Sequence, residues 1–143
     1  YAIGCDGGFR SWSSGQSWAA CESLPSVDSD TRAALDPRNP THIYAATRGN
    51  GVFASIDACQ GWNERNAGLG NLFVNSIVID PGNPDTFFAG TQGGAFLSLD
   101  SGAYWNEVNA GLLGVLNVYS IALDSQGIAY AATPYGIFRL ENR

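Results

Sequence analysis

One short pattern occurs three times along this chain: Ser11-Trp12-Ser13-Ser14-Gly15-Gln16-Ser17-Trp18, Ser55-Ile56-Asp57-Ala58-Cys59-Gln60-Gly61-Trp62 and Ser98-Leu99-Asp100-Ser101-Gly102-Ala103-Tyr104-Trp105. The opening serines are 44 and 43 residues apart, and the closing tryptophans keep the same two intervals. A period of about 40 to 50 residues that carries several short strands is the mark of propeller blades rather than of a helical solenoid. The repeat therefore constrains architecture strongly and the choice of partner weakly.

Superposing the copies gives one consistent unit. It opens with a β-branched strand such as Val74-Asn75-Ser76-Ile77-Val78-Ile79 and reverses at Asp36-Pro37-Arg38-Asn39-Pro40 or Asp80-Pro81-Gly82-Asn83-Pro84. Asp followed by Pro suits a type I turn, because the ring presets φ and the carboxylate caps nearby amides. The third copy, Asp124-Ser125-Gln126-Gly127, uses Gly in a shorter loop. A second strand follows at Ile43-Tyr44-Ala45-Ala46-Thr47, Phe87-Phe88-Ala89-Gly90-Thr91 and Ala129-Tyr130-Ala131-Ala132-Thr133, with small residues where blades crowd an axis. Glycine-rich turns lead to a third strand marked by Phe9, Phe53, Phe96 or Phe138. The serine-to-tryptophan pattern is then the hairpin into a fourth strand, which ends at Asn66-Ala67-Gly68-Leu69 or Asn109-Ala110-Gly111-Leu112. Four antiparallel strands make one blade.

The expected fold is thus all-β, a β-propeller of four-stranded antiparallel blades with two full and two partial blades. The blade units run approximately over residues 1–30, 31–71, 72–114 and 115–143 of a single propeller region. Propellers close their rings to protect strand edges. A larger ring is expected, completed by further blades of a longer chain or by further copies of this one.

Composition agrees with a globular β protein: 45% apolar, 12% aromatic, 14% charged, with 18 glycines among 143 residues. A formal charge of −6 repels phosphate backbones, so no nucleic-acid partner is expected. No run of about 18 apolar residues is present, so no membrane-spanning helix is expected. Cys5, Cys21 and Cys59 match no zinc spacing and allow at most one internal disulfide. Cys5 and Cys21 fall in strands separated by a third, about 10 Å apart. That exceeds bridging distance, so buried free thiols are the expectation, with Cys59 as an alternative external attachment point. No cofactor and no metal are expected.

The repeated pattern resembles the Asp-box of BNR-type propellers, whose consensus is Ser/Thr, any, Asp, any, Gly, any, Thr, Trp/Phe. Its physics is structural: the carboxylate accepts hydrogen bonds from its own hairpin, Gly supplies positive φ, and the aromatic ring packs under the loop. The matching residues are Ser11, Gly15 and Trp18, then Ser55, Asp57 and Trp62, then Ser98, Asp100, Gly102 and Trp105. Ser13 replaces Asp in the first copy, and Cys59 replaces Gly in the second. The wording of the repeat, Asp-Pro-x-Asn-Pro, then Tyr-Ala-x-Thr, then Gly-x-Phe-x-Ser-x-Asp, is most similar to bacterial extracytoplasmic propellers. Within that superfamily it resembles the xyloglucanase-like, sortilin-like and photosystem II assembly-factor-like branches. The resemblance implies a bacterial protein placed outside the cytoplasm, whether secreted, periplasmic or on the cell surface. Function resides in sites grafted onto such blades and does not follow from the fold.

An inverting glycosidase needs two carboxylates about 6.5 to 9.5 Å apart. Here Asp36, Asp80 and Asp124 occupy equivalent turns, and Asp57 and Asp100 belong to the hairpins, which makes them turn formers. The remaining acids show no paired spacing, and His42 sits beside a turn without a nucleophile near it. No catalytic residue is expected. The reading is a non-catalytic binding or scaffold module that takes a protein or glycan on its loop face. The alternatives are a fragment of a xyloglucanase-like glycoside hydrolase and an oligomeric propeller lectin.

Loops joining strands two to three and four to one emerge on one face. The first set displays Asp6, Arg48, Asn50, Gln92 and Tyr135, and the second displays Asn71, Leu72, Phe73, Leu113, Val115 and Leu116. Variation at these positions over a constant framework suits a surface tuned to one partner, and loops also vary without function. The apolar loop residues are expected to tuck between blades rather than to form a patch. Trp12, outside the closing position of the motif, is a candidate for stacking on a sugar or a neighbouring subunit, with packing on the adjacent blade the favoured expectation.

Overall fold

The structure is a computed structural model that describes residues 1–4, 7–21, 30–112, 114 and 116–140. Cys5, Asp6, Leu113 and Val115 lie outside the described residues. Among the described residues are fourteen strands in four antiparallel sheets and no helix. The first sheet contains β1 (Ala2–Gly4), β2 (Gly7–Arg10) and β3 (Ala19–Ala20) in that order. The second is β4 (Arg32–Leu35), β5 (Ile43–Thr47), β6 (Gly51–Ser55) and β7 (Asn63–Glu64). The third is β8 (Val74–Ile79), β9 (Phe87–Thr91), β10 (Gly94–Ser98) and β11 (Asn106–Glu107). The fourth holds β12 (Ser120–Leu123), β13 (Ala129–Thr133) and β14 (Gly136–Arg139). Two sheets thus have all four strands of a blade, flanked by one sheet of strands two to four and one of strands one to three.

Each corner closes on its own side chains. In the turns after the first strands, Asp36, Asp80 and Asp124 each accept at Oδ1 from the amide two residues on, at 2.8 Å in all three. In the hairpins after the third strands, Ser55 Oγ accepts from the Cys59 amide at 2.9 Å while Asp57 Oδ1 accepts from the Gln60 and Gly61 amides, both at 2.9 Å. Ser98 and Asp100 repeat this with the amides of Gly102 and Tyr104. In the first hairpin the Ser13 hydroxyl stands in for a carboxylate and accepts from the Ser17 amide at 2.9 Å. Two consecutive residues have positive φ in every hairpin: Ser14 and Gly15, Ala58 and Cys59, Ser101 and Gly102.

β5, β6, β9 and β10 are buried along their whole length; each lies mid-sheet, and β9 and β10 are covered by an apolar cluster on either face. Tyr44, Val52, Ile77, Phe87, Phe96 and Trp105 fill the core between the second and third sheets. Phe88, Leu97, Leu112, Val118, Ile121 and Ala131 fill the next. Small residues on the second strands let the sheets approach: a Cβ at Gly90 would stand 2.7 Å from Val118 Cγ1. The fourth strands of the complete blades are two residues long and polar, which blunts their edges. Packing under the hairpin is uneven, with Trp105 buried, Trp62 partly buried and Trp18 half exposed.

Among the described side chains, the first sheet contributes none to these apolar clusters. It joins the second through the Tyr1 hydroxyl on Pro40 O, through Arg10 Nη1 on Ala58 O, and through a disulfide between Cys21 and Cys59. The disulfide corrects the expectation of free thiols and of Cys59 as an external attachment point. The expectation weighed spacing within one blade. The bridge instead runs between blades, where the end of β3 meets the neighbouring hairpin at a Cα–Cα distance of 5.1 Å.

Candidate functional site

Antiparallel blades place the loops from second to third strand and from fourth to first strand at one end of the sheets. At that end the backbone itself assembles most of the expected loop residues. Arg48 and Phe73 form an isolated antiparallel bridge, and Leu72 O accepts from the amides of Gly49 and Gly51, both at 2.9 Å. The Gln92 amide donates to Phe73 O at 3.1 Å, and Asn71 Oδ1 accepts from the Phe73 amide at 2.9 Å. Asn50 joins through its carbonyl, which accepts from Asn66 Nδ2. Arg48, Asn50, Asn71, Phe73 and Gln92 are therefore one contiguous group built from two blades.

Tyr135 stands on the same face, exposed in the equivalent turn of the fourth sheet, with its amide donating to Thr133 Oγ1. Trp12 does not join them, because its hairpin lies at the opposite end of the strands. It is 65% exposed and meets the Tyr1 ring edge-on at 6.4 Å, contrary to the expectation that it packs on a neighbouring blade. The apolar loops divide: Leu112 is buried, whereas Leu72, Phe73 and Leu116 are exposed, so the expectation that they tuck between blades holds for Leu112 alone among these.

Beside this group, where the first strands begin, a cavity of about 180 Å³ is lined by Asp30, Arg32, Arg48, Asn75 and Tyr119. Arg48 pairs with Asp30 through Nη1. Asn75 is held by its amide nitrogen, which donates to Val118 O at 2.9 Å and leaves its carbonyl oxygen available. Tyr119 presents an exposed ring. Arg32, Asn75 and Tyr119 were not among the expected residues. A signal existed: Asn75 and Tyr119 are 44 residues apart, the interval between Asp80 and Asp124, so they are one repeat position occupied by different chemistry in successive blades.

Among the described residues the cavity offers planar donors, one amide, one phenol ring and a single lining carboxylate, Asp30, which is already ion-paired. This can recognise polar groups, and its described residues include no pair of carboxylates for acid and base roles. The carboxylates with displaced titration lie at the other face and are held below the ordinary range by structural bonds. Asp57 is lowered chiefly by the Ser55 hydroxyl, Asp100 by the Ser98 hydroxyl, Asp124 by the Ile128 amide, and Asp36 by Arg38. Among the described residues no group of three His, Cys, Asp or Glu side chains is placed to hold a metal ion. Among the described residues there is no helix long and apolar enough to cross a membrane.

No family model matches the chain, and no curated protein sequence matches it significantly. Solved structures do. An ancestral GH74 enzyme superposes with a TM-score of 0.74 at 22% identity, covering 95% of this chain and 20% of its own. The extracellular domain of a candidate one component system from B. thetaiotaomicron gives 0.67 at 16% identity, covering 96% of this chain and 19% of its own. YCF48 bound to D1 peptide gives 0.55 at 19% identity, covering 84% of this chain and 44% of its own. The chain thus spans about a fifth of the length of the first two and under half of the third. What these likenesses establish together is a β-propeller fold.

Proposed function

We propose that the chain is a non-catalytic binding module, placed outside the cytoplasm, that receives a protein or glycan partner on the face bearing Arg48, Phe73 and Tyr119. The observation that carries this reading is the joining of variable loop residues from two blades into one surface beside a polar cavity. The fixed interior beneath supplies rigidity, and the loops supply identity. The three serine-to-tryptophan hairpins are read as Asp-boxes of the BNR type, since Ser and Asp oxygens collect hairpin amides in the second and third copies and the Ser11 and Ser13 hydroxyls do so in the first. The Cys21–Cys59 disulfide favours an oxidising compartment. The extracellular sensor domain among the structural relatives points the same way.

The test is direct. The protein is screened on a glycan array and by capture of proteins from a periplasmic or culture-medium extract, beside an Arg48→Ala/Phe73→Ala double variant. Binding that the double variant loses supports the reading; binding that it retains removes this face from it. A competing reading, a piece of a glycoside hydrolase resembling GH74 enzymes, is favoured by the superposition on the ancestral GH74 enzyme. Release of reducing ends from xyloglucan by the chain would establish it. The three-stranded outer sheets are read as parts of a larger ring, completed by a longer chain or by further copies. Native mass compared with denatured mass separates those two cases.

A further inference from the structure

On the face opposite the loop surface, a cleft of about 400 Å³ opens between the second and third blades. Its walls include Asp36, Arg38 and His42 from the first turn, Tyr44 from β5, Arg65 just after β7, and Ser101 from the next blade. Most hydrogen-bonding capacity in the wall is already spent. Asp36 Oδ1 accepts from the Arg38 amide and Nε, and Oδ2 accepts from Arg38 Nη2 at 3.0 Å. Arg38 Nη1 reaches Asp85 Oδ1 of the next blade at 2.9 Å, and Ser101 Oγ donates to that same carboxylate oxygen. Asn39 Oδ1 is taken by the amide and hydroxyl of Thr41, so its Nδ2 donates to His42 Nε2 and leaves the ring proton on Nδ1, facing Asp36.

Two side chains in the wall remain unspent, and both can donate, Arg65 through N–H groups alone and Tyr44 through a hydroxyl that can also accept. Tyr44 is 5% exposed, its ring fixed edge-on against Phe87 at 4.5 Å, yet its hydroxyl makes no hydrogen bond to the described residues. Burial pushes the Tyr44 phenol up, so it keeps its proton at neutral pH. Arg65 carries a buried Nε with no partner, and its guanidinium makes no ion pair to the described residues. A guanidinium has only N–H groups to offer, and Asp36 in the same wall is already gripped by Arg38 through both of its oxygens. The N–H groups of Arg65 and the Tyr44 hydroxyl are thus left to meet a ligand.

We propose that the cleft is a second ligand site, separate from the loop face, for a small molecule whose carboxylate or phosphate oxygens accept from Tyr44 Oη and Arg65. Asp36 does not repel such a group strongly, because Arg38 grips it with a bidentate fork. Ile56, exposed at the rim, fits the carbon skeleton of the ligand better than its charge.

The experiment titrates succinate and, separately, inorganic phosphate into ¹⁵N-labelled protein and follows the indole N–H of Trp105, which donates to Arg65 O at 2.7 Å. A saturable shift with a Kd below about 10 mM is expected. Tyr44→Phe, which keeps the ring contact, and Arg65→Gln are each expected to weaken it at least about tenfold, as loss of one charge-assisted bond does. Saturation by succinate alone assigns a carboxylate ligand, and saturation by both assigns any oxyanion. No saturation with either probe, or unchanged affinity in both variants with native dispersion retained, overturns the proposal.

Discussion

Cys21 and Cys59 are joined across two blades, and Cys59 has a positive φ of 64° where the equivalent residues, Gly15 and Gly102, are glycines. A side chain there costs about 1 to 2 kcal/mol of backbone strain. The disulfide fixes the chain in that conformation and holds a sheet whose described side chains share no apolar cluster with the rest.

Reduction is therefore expected to loosen residues 1–21 before the other sheets. Limited proteolysis with and without reductant should show new cleavage confined to that segment. Cys59→Gly and Cys59→Ser both remove the bridge, but Cys59→Gly should be the more stable by about 1 kcal/mol, because glycine accepts the left-handed conformation without strain. Equal melting temperatures would contradict this.

Two asparagines latch the end of the fourth strand to the start of the third. Asn66 Oδ1 accepts from the Val52 amide at 2.7 Å, and Asn109 Oδ1 accepts from the Ala95 amide at 2.8 Å. Asn66→Ala or Asn109→Ala strands that amide and is expected to cost about 1 to 2 kcal/mol in urea unfolding.

Gly90 is the close approach between the third and fourth sheets. Gly90→Ala sets a methyl 2.7 Å from Val118 Cγ1, so a loss of about 1 to 3 kcal/mol is expected from overpacking. Gly90→Ala with Val118→Ala should recover part of it, which thermal denaturation of the pair would show.

Acid should unfold the protein by a definite route. Asp36, Asp57, Asp85, Asp100 and Asp124 are all held below the ordinary carboxylate range in the native state. A lowered folded value means that the native state is favoured while these groups are ionised. Their contribution is complete above about pH 4 and is lost as pH falls below it. Melting temperature should be insensitive to them between about pH 7 and 5, then decline. A melting temperature that held steady down to about pH 3 would contradict this.

Much of the framework was legible in the sequence, for reasons visible in particular residues. The second strands at residues 43–47, 87–91 and 129–133 stand where the repeat put them, since turn-forming Asp and Gly bound them on either side. The disulfide was not legible, because a contact between blades depends on how sheets stack and not on spacing along one unit. The cavity was half legible. Arg48 lies in a loop that the repeat exposes, whereas Arg32, Asn75 and Tyr119 sit where strands begin, and that position reads as framework until the first strands are seen converging.

The corners of the blades carry a consequence for how the chain assembles. The bonds that backbone amides donate to the side chains of each Asp turn and each hairpin reach no further than four residues along the chain. Closing such short loops demands little chain entropy and needs no partner from another blade. A polypeptide leaving the ribosome can bend at each corner as soon as it emerges, so that slower pairing between distant strands begins from ends already brought close together.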